Sequence, residues 1–458
     1  MRWMGVLAAA AVLGLAACGT VRAASGTPAA GPGTSTPDRS VSSLPQTSAG
    51  PTGRTSAGPV PVRFAATSVT WVSPDEAFVL GTAPCAHAPC TSIVRTLNRG
   101  ASWAGLPAPA VPVGAPGQDG VVWGIRFATP EHGFVFGDGL WETTDGGERW
   151  SRVTAPFGSV LSLAIVPGQV LVLVARCTPG GGCDQHGVLA RRPLRGGIWT
   201  GVANGAVTSL LDPDDLIATQ AGVAAAVVGT EVIVLRPDQP GLGLHPVPCP
   251  PPAPPPSVAV ISATRLALLC TGEGYTGHTI KHVYVSDDAG AHWALAGAPS
   301  PDGDGGTVAA TATGRLAIAT ASAASWLFSS PDTGVSWRIV NQQDDGGMGW
   351  ADLGFTTATD GVVVHGPADS DGNASQRPGQ LLLTNDAGAS WYPVSFWTPV
   401  TARSPGGSSA AQLQHRPALH RGQDVQQTGR AAVGILAEAA RVHQGQIVPV
   451  VLHLSRPR

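Results

Sequence analysis

A short motif, Ser/Thr-x-Asp-x-Gly-x-x-Trp, recurs along this chain and restricts the possible folds more than any other feature. Its Asp can accept hydrogen bonds from the backbone of a turn and from the Ser/Thr hydroxyl. Its Gly can adopt the positive φ of a tight turn, and the Trp ring can pack beneath that turn. Each copy therefore indicates a tight turn, with a structural role for its residues. The four well-formed copies have Asp145, Asp288, Asp332 and Asp386 at the third position and Trp150, Trp293, Trp337 and Trp391 at the eighth.

Weaker copies extend the series. In one of them Asn98 replaces the Asp, and Trp103 ends the motif. Another retains only Gly196 and Trp199. A further copy is expected to have eroded near residues 236–238, because the distance from Trp199 to the next motif Trp is twice the usual one.

The spacing of the motifs predicts the fold. Successive motif tryptophans are 44 to 54 residues apart, except for one interval of 94 residues that equals two periods of 47. This gives seven periods between about Val60 and Phe396. Periods of 40–50 residues with four short strands each are typical of β-propeller blades. We therefore predict an all-β chain with a propeller of seven four-stranded blades over residues 60–397. A six-bladed propeller is the alternative if the eroded segment is only a long loop.

A second internal similarity supports this prediction. The segments 68–81, 122–137 and 349–366 each contain an apolar strand, a polar turn and a short apolar strand that ends in Gly. We expect these segments to be the two inner strands of their blades.

The motif resembles the Asp-box, or BNR repeat, of sialidase-like propellers. In that family the box is a turn between the last two strands of a blade. Family sialidases also have an Arg-Ile-Pro motif, an arginine triad and a Tyr/Glu nucleophile pair. The nearest string here is Arg338-Ile339-Val340, which follows a box, and the only tyrosines are Tyr275, Tyr284 and Tyr392. No residue of the sialidase site can therefore be carried over to this chain.

The amino terminus resembles that of a bacterial lipoprotein. Arg2 precedes an apolar run from Gly5 to Leu15, which is too short to span a bilayer and is typical of a signal peptide. The following Leu-Ala-Ala-Cys-Gly resembles a lipobox, which implies cleavage before Cys18 and attachment of acyl chains to its thiol. Residues 1–17 would then be removed, and residues 18–59, rich in Gly, Ser, Thr and Pro, would form a disordered tether. The alternative is an ordinary signal peptide with an incidental cysteine.

Six further cysteines are expected to form disulfides, since an exported chain meets an oxidising environment. Six cysteines allow 15 pairings. Short loops are bracketed by Cys85 and Cys90 and by Cys177 and Cys183, which leaves Cys249 and Cys270 for each other. Both loops fall where the second and third strands of a blade would turn. The spacing does not suit a tetrahedral metal site.

Composition and motifs exclude several functions. Charged residues make up 12% of the chain and the net charge is −3, so no basic footprint for nucleic acid is expected. The segment 369–373 lacks the Gly and Glu of an EF-hand, and we expect neither a metal nor a cofactor. Two carboxylates from different blades could still form a glycosidase site. The candidates for such a pair, all near inner-strand turns, are Asp75, Glu76, Glu131, Asp352 and Asp360.

The last segment, residues 398–458, contains no box and is richer in Gln, His and Arg. It is expected to be an irregular tail without a functional site. Taken together, the sequence predicts a lipid-anchored propeller on the outer face of the cell membrane that binds a glycan or an envelope protein without catalysis. The alternatives are a glycoside hydrolase and, by resemblance to photosystem-assembly propellers, an assembly factor for a membrane complex.

Overall fold

The structure is a computed structural model that describes residues 58–85, 89–155, 158–178, 182–206, 217–220, 222–236, 239–250, 256–367 and 379–396. The expected lipidation site Cys18, the signal segment, the tether up to residue 57, the acidic segment 369–373 and the tail 398–458 lie outside these ranges. The described part of the chain contains no helix that could cross a bilayer.

Seven four-stranded antiparallel sheets form a β-propeller, as predicted, and the six-bladed alternative is wrong. Each blade consists of four consecutive strands, numbered from the axis outward. Blade 1 contains β1 Ala65–Trp71, β2 Ala77–Pro84, β3 Pro89–Thr96 and β4 Ala104–Leu106, and blade 2 contains β5 Val122–Phe127, β6 Gly133–Gly137, β7 Leu140–Thr143 and β8 Ser151–Val153. Blade 3 contains β9 Ser159–Val166, β10 Gln169–Thr178, β11 Gly182–Pro193 and β12 Thr200–Ala206. Blade 4 contains β13 Ile217–Gln220, β14 Val223–Val228, β15 Glu231–Arg236 and β16 Gln239–Pro246.

Blades 5 to 7 follow the same order. Their strands are β17 Ser257–Val260, β18 Leu266–Tyr275, β19 His278–Ser286 and β20 Ala294–Gly297; β21 Asp304–Ala310, β22 Leu316–Ala321, β23 Ser325–Ser330 and β24 Arg338–Gln343; and β25 Trp350–Phe355, β26 Gly361–His365, β27 Gln380–Thr384 and β28 Tyr392–Pro393.

The sequence of each strand reflects its distance from the axis. The second strands, such as β6 and β14, are buried at every position, because both faces of each blade pack against a neighbouring blade. They are accordingly continuous runs of small and β-branched apolar residues. Outer strands such as β8 and β24 are short or largely exposed. The segments 68–81, 122–137 and 349–366 form the two inner strands of blades 1, 2 and 7, as expected.

Side-chain packing and a backbone hydrogen bond from Ala66 to Gly379, rather than a shared strand, close the ring between blades 7 and 1. The innermost strand β25 lies beside β1. Phe396, at the end of blade 7, packs edge-on against Phe64 and Trp103 of blade 1, with ring centroids 4.9 and 5.1 Å apart. Since each blade is complete by itself, closure depends on this apolar cluster, on that backbone hydrogen bond and on the polar contacts at the axis described below.

The antiparallel order gives the propeller two different faces. Turns between the first and second strands and between the third and fourth strands lie on one face, which we call the Asp-box face. Turns between the second and third strands, together with the connections between blades, lie on the other. All three disulfides, Cys85–Cys90, Cys177–Cys183 and Cys249–Cys270, lie on this second side, which we call the disulfide face. They join the pairs that the spacing predicted.

Candidate functional site

The boxes form one repeated hydrogen-bonded turn. In blade 2 the hydroxyl of Thr143 donates to Asp145 at 2.9 Å and accepts the N–H of Gly147 at 3.0 Å. Asp145 also accepts the N–H of Arg149 at 2.9 Å. Gly147 has φ 88°, the conformation that the motif requires of its glycine. The equivalent residues are Thr96, Asn98, Gly100 and Ser102 in blade 1, Ser286, Asp288, Gly290 and His292 in blade 5, Ser330, Asp332, Gly334 and Ser336 in blade 6, and Thr384, Asp386, Gly388 and Ser390 in blade 7.

These hydrogen bonds also shift the carboxyl pKa values. Burial alone would raise the pKa of Asp145, but the N–H groups of Arg149 and the hydroxyl of Thr143 outweigh it and lower that pKa. At Asp386, burial would again raise the pKa. Hydrogen bonds from the hydroxyl and N–H of Ser390 and from the hydroxyl of Thr384 outweigh it and lower that pKa. Each box carboxylate is thus committed to its own turn, which is a structural role.

Box tryptophans also connect neighbouring blades. The indole N–H of Trp150 in blade 2 donates to the carbonyl of Pro107, just after the last strand of blade 1, at 3.1 Å. Trp199 donates in the same way to Thr154, after the last strand of blade 2, at 3.2 Å. The degraded copy in blade 3 therefore keeps the inter-blade contact although it has lost the Asp.

A cavity of about 220 Å³ lies on the propeller axis. Six innermost strands, β1, β5, β13, β17, β21 and β25, line it with Val, Ala and Thr side chains. The charged side chains among the lining residues are Arg126 and Asp352, which form an ion pair of 2.5 Å. The cavity is smaller than the 300–1,000 Å³ typical of small-molecule sites.

Asp352 connects three blades at the point where the ring closes. Its carboxylate accepts the N–H of Val69 in blade 1 and the guanidinium of Arg126 in blade 2, both at 2.5 Å. Ser68 and Ser257 occupy comparable places elsewhere, since each accepts an N–H from the innermost strand of the next blade, at 3.1 and 3.0 Å. Asp352 is therefore the closing member of a set of inter-blade hydrogen bonds, and its charge is balanced by Arg126.

The other candidate carboxylates lie at turns on the Asp-box face. Asp75 pairs with the guanidinium of Arg99 at 2.9 Å, and both side chains are exposed. Glu76 is buried against Arg95 at 2.5 Å. Asp360 accepts the hydroxyl of its own turn, and Glu131 is exposed. Among the described residues that line the axial cavity, Asp352 is the single carboxylate, so the structure does not bring two of them together there.

A larger groove, of about 760 Å³, lies on the disulfide face between blades 2 and 3. Asp138, Arg152, Arg176 and Cys177 are among its lining residues. The Arg152 guanidinium lies over the Trp141 ring, 5.7 Å from its centroid. The carboxylate of Asp138 is already bound to the hydroxyl of Ser159 and the N–H of Gly120. The residues that line the groove therefore include two arginines and a carboxylate that is already engaged; the Arg152 side chain lies on the Trp141 side of blade 2.

A buried polar cluster around Asp345, on the same face, was not identified by the sequence analysis. The side chain of Asp345 is fully buried and accepts hydrogen bonds from His365 at 2.6 Å and Ser325 at 2.8 Å. Although burial opposes it, the N–H of Gly347, Ser325 and His365 lower its pKa. The Trp350 ring lies against His365. A Gly-rich segment indicates a turn, but long-range pairing decides whether its Asp is buried.

Among the residues that the structure describes, no group of three or more His, Cys, Asp or Glu side chains could hold a metal ion. No protein-family model matches the chain. No curated protein matches it either.

Solved structures do resemble it. YCF48 bound to a D1 peptide is 16% identical, with a TM-score of 0.46 over 72% of this chain and 96% of that one. YCF48 from Cyanidioschyzon merolae is 14% identical, with a TM-score of 0.45 over 72% and 98%. An ancestral GH74 enzyme is 12% identical, with a TM-score of 0.40 over 72% and 44%. At these values the similarity assigns no function.

Proposed function

We propose that this chain is a non-catalytic binding or scaffolding module of the cell envelope and that it recognises its partner on the disulfide face. One observation carries the proposal: all three disulfides restrain segments on that face. Two close the hairpins between second and third strands in blades 1 and 3, and the third ties the connection after blade 4 to β18. Restraining loops before binding lowers the entropy that binding would otherwise cost.

The groove between blades 2 and 3, which Arg152 and Arg176 help to line, is the part of this face with the clearest chemistry. Guanidinium groups bind carboxylate, phosphate and sulfate groups through paired N–H donors. Arg152 is held in place by Trp141, and Arg176 stands next to the disulfide-bonded Cys177. An anionic group of an envelope glycan or protein fits this arrangement. Membrane attachment through Cys18 would hold the module near such a partner, and its disulfides suit an oxidising compartment.

Binding can be tested with the purified protein and defined probes. Neutral glycans, uronic-acid glycans and synthetic peptides with and without acidic residues would be titrated while binding and thermal stability are recorded. We expect saturable binding of an acidic probe that is weakened about tenfold or more by Arg152→Ala and Arg176→Ala. Arg338→Ala, on the exposed outer strand of blade 6, is the matched control and should bind normally. Unchanged binding in both groove variants would contradict the assignment to this face.

The glycoside hydrolase alternative needs its own assay. Fluorogenic glycosides, including sialosides, would be incubated with the protein and with the Asp352→Asn variant. We expect no turnover above a heat-inactivated control, because Asp352 is neutralised by Arg126 and holds the N–H of Val69. Turnover that disappears in the variant would overturn the non-catalytic proposal. Specific crosslinking to a membrane complex in the native envelope would instead point to the assembly-factor role.

A further inference from the structure

Lys281 is the only lysine of the chain, and it is buried rather than exposed. It lies on β19 opposite Thr271 of β18, with 1% of its surface accessible. A lysine is almost never fully buried unless its ammonium group is bound. The position of this ammonium group therefore requires a physical explanation.

Four backbone carbonyls surround the ammonium nitrogen. Lys281 Nζ donates to the oxygens of Thr279 at 3.1 Å, Pro301 at 3.0 Å, Asp302 at 3.1 Å and Gly303 at 2.7 Å. We call these four oxygens the carbonyl cage. Three of them belong to the connection between blades 5 and 6, and the fourth belongs to the hairpin of blade 5.

The sequence of the connection explains why its carbonyls converge. Pro301 and Asp302 are followed by Gly303, Asp304, Gly305 and Gly306. Gly303 has φ 78°, and a Cβ atom there would lie 2.3 Å from the hydroxyl oxygen of Thr320. That hydroxyl donates to the carbonyl of Asp302 at 3.0 Å. Only glycine allows both this backbone conformation and this close approach to blade 6.

The charge on Lys281 suits the cage. An ammonium group has three N–H donors and no acceptor, so in this site of four acceptors one of its hydrogens is shared between two carbonyls. Burial lowers the Lys281 pKa to about 8, against the opposing charges of Asp304 and Asp302. His278 is the remaining titratable group close by, with Nδ1 3.6 Å from Asp302 Oδ1. The lysine therefore retains its proton at pH 7.

We infer that the carbonyl cage is a binding site for an ammonium-type cation, which the chain fills with Lys281, and that this internal cation positions the β18–β19 hairpin for recognition on the disulfide face. The second part rests on the proposed function. The hairpin is attached to the connection between blades 5 and 6 by the cage and also by Thr279, whose N–H and hydroxyl donate to the carbonyl of Gly303. Its tip is attached through the carbonyl of Gly277, which accepts the hydroxyl of Ser322 in blade 6 at 2.9 Å. Lys281 is thus a positioning residue.

The positioned hairpin carries side chains suited to a protein or peptide contact. Tyr275 and Ile280 are 59% and 45% exposed. The Tyr275 ring lies 5.3 Å from that of His278, whose backbone pairs with Gly303 next to the cage. A rigid exposed tyrosine gives contact area at a small cost in conformational entropy.

The cage is tested first by removing its cation. In the full chain, Lys281→Ala should raise amide hydrogen exchange in residues 271–280 about tenfold or more, because the hairpin loses the ammonium bonds of the cage and keeps only those of Thr279 and Gly277. Methylammonium chloride should restore protection, whereas tetramethylammonium chloride, which has no N–H donor, should not. Lys281→Met should also lose protection but resist rescue, since its side chain fills the space. Unchanged exchange in Lys281→Ala, or equal rescue by both salts, would overturn the inference.

A measurement on the unaltered protein covers the case in which these variants do not fold. Because there is one lysine, labelling with 15N-lysine gives one side-chain signal. We expect ammonium protons that exchange slowly with water and a pKa below the ordinary 10.5, near 8. A rapidly exchanging ammonium group with an ordinary pKa would show that the cage does not exist.

A separate variant distinguishes the two parts of the inference. Tyr275→Ala should weaken a peptide probe whose binding to the disulfide face survives Arg152→Ala and Arg176→Ala, while leaving the lysine signal unchanged. If the cage measurements succeed and Tyr275→Ala binds normally, the cage stands and the recognition role of the hairpin falls. If no probe binds the disulfide face at all, the proposed function fails, and the cage is still decided by exchange and by the lysine signal.

Discussion

Blades 6 and 7 contrast with blades 3 and 4 in how their outer strands are held. In blades 6 and 7 a complete Asp-box ties the third strand to the fourth through hydrogen bonds inside one turn. Blade 3 retains only Gly196 and Trp199. In blade 4, β15 ends at Arg236 and β16 begins at Gln239, so the eroded box predicted near residues 236–238 falls between these two strands. All four blades nevertheless have the same strand order.

Two other features accompany the missing boxes. The largest apolar cluster of the described residues runs through blades 2, 3 and 4 and includes most of β10. Two disulfides also lie here, one within blade 3 and one just after blade 4. This distribution indicates that box hydrogen bonds, apolar burial and covalent links can replace one another, because each restrains the same strands. The repeat sets the geometry of a blade, and its sequence can erode where other contacts hold the strands.

The largest effect should come from the core of a blade without a box. Leu171 on β10 is fully buried, so Leu171→Ala should lower the free energy of unfolding by about 2–5 kcal/mol through lost burial and a cavity. The loss should at least equal that of Leu327→Ala, at a fully buried position in blade 6. Urea denaturation of the full chain measures both, with exposed Leu97→Ala as the control. A clearly smaller loss in blade 3 would contradict the idea that its core replaces the box.

Removal of a disulfide should give the next largest loss in the free energy of unfolding, and the disulfide that closes the longer loop should give the larger loss. Cys249 and Cys270 are 21 residues apart, whereas Cys177 and Cys183 are 6 apart. Loop-closure entropy then predicts losses of about 3 and about 2 kcal/mol for the two Cys→Ser double variants. Thermal and urea unfolding under non-reducing conditions would compare them. The reverse order would show that strain or denatured-state structure, rather than loop length, sets their contribution.

A single box should matter less. Asp386→Ala removes the acceptor of Thr384 and of both donors of Ser390, and should cost about 1–2 kcal/mol. Asp386→Asn should cost only a fraction of that, because the neutral amide of Asn98 in blade 1 accepts two of the equivalent hydrogen bonds and donates the third to the Ser102 hydroxyl. Equal losses in the two variants would mean that the carboxylate charge, and not its geometry, stabilises the turn.

The repeat made the fold predictable, whereas the candidate sites depended on contacts that no local pattern encodes. Box spacing gave seven blades and the positions of the eroded turns, since these follow from short-range chemistry at fixed intervals. Asp352 was selected only as an Asp near an inner turn, and its partners, Val69 and Arg126, are 283 and 226 residues away. No local motif marks Lys281. Its cage could not be predicted without knowing that the connection between blades 5 and 6 passes over β19.

The smallest expected effect is a loss of stability at low pH. The lowered pKa values of Asp145 and Asp386 mean that these carboxylates hold their protons less tightly in the folded protein than in the unfolded chain. Their contribution to stability is therefore present above about pH 4, the range of an unperturbed Asp, and is lost as the pH falls through the lower folded pKa. We expect the urea midpoint to fall between about pH 4 and pH 2, and to fall less in an Asp145→Asn/Asp386→Asn double variant. Asp288, Asp332 and Asp345, whose pKa values are also lowered, should keep some dependence in that variant. An identical acid dependence in both proteins would show that the boxes act through geometry alone, which would make the boxed and unboxed blades electrostatically equivalent.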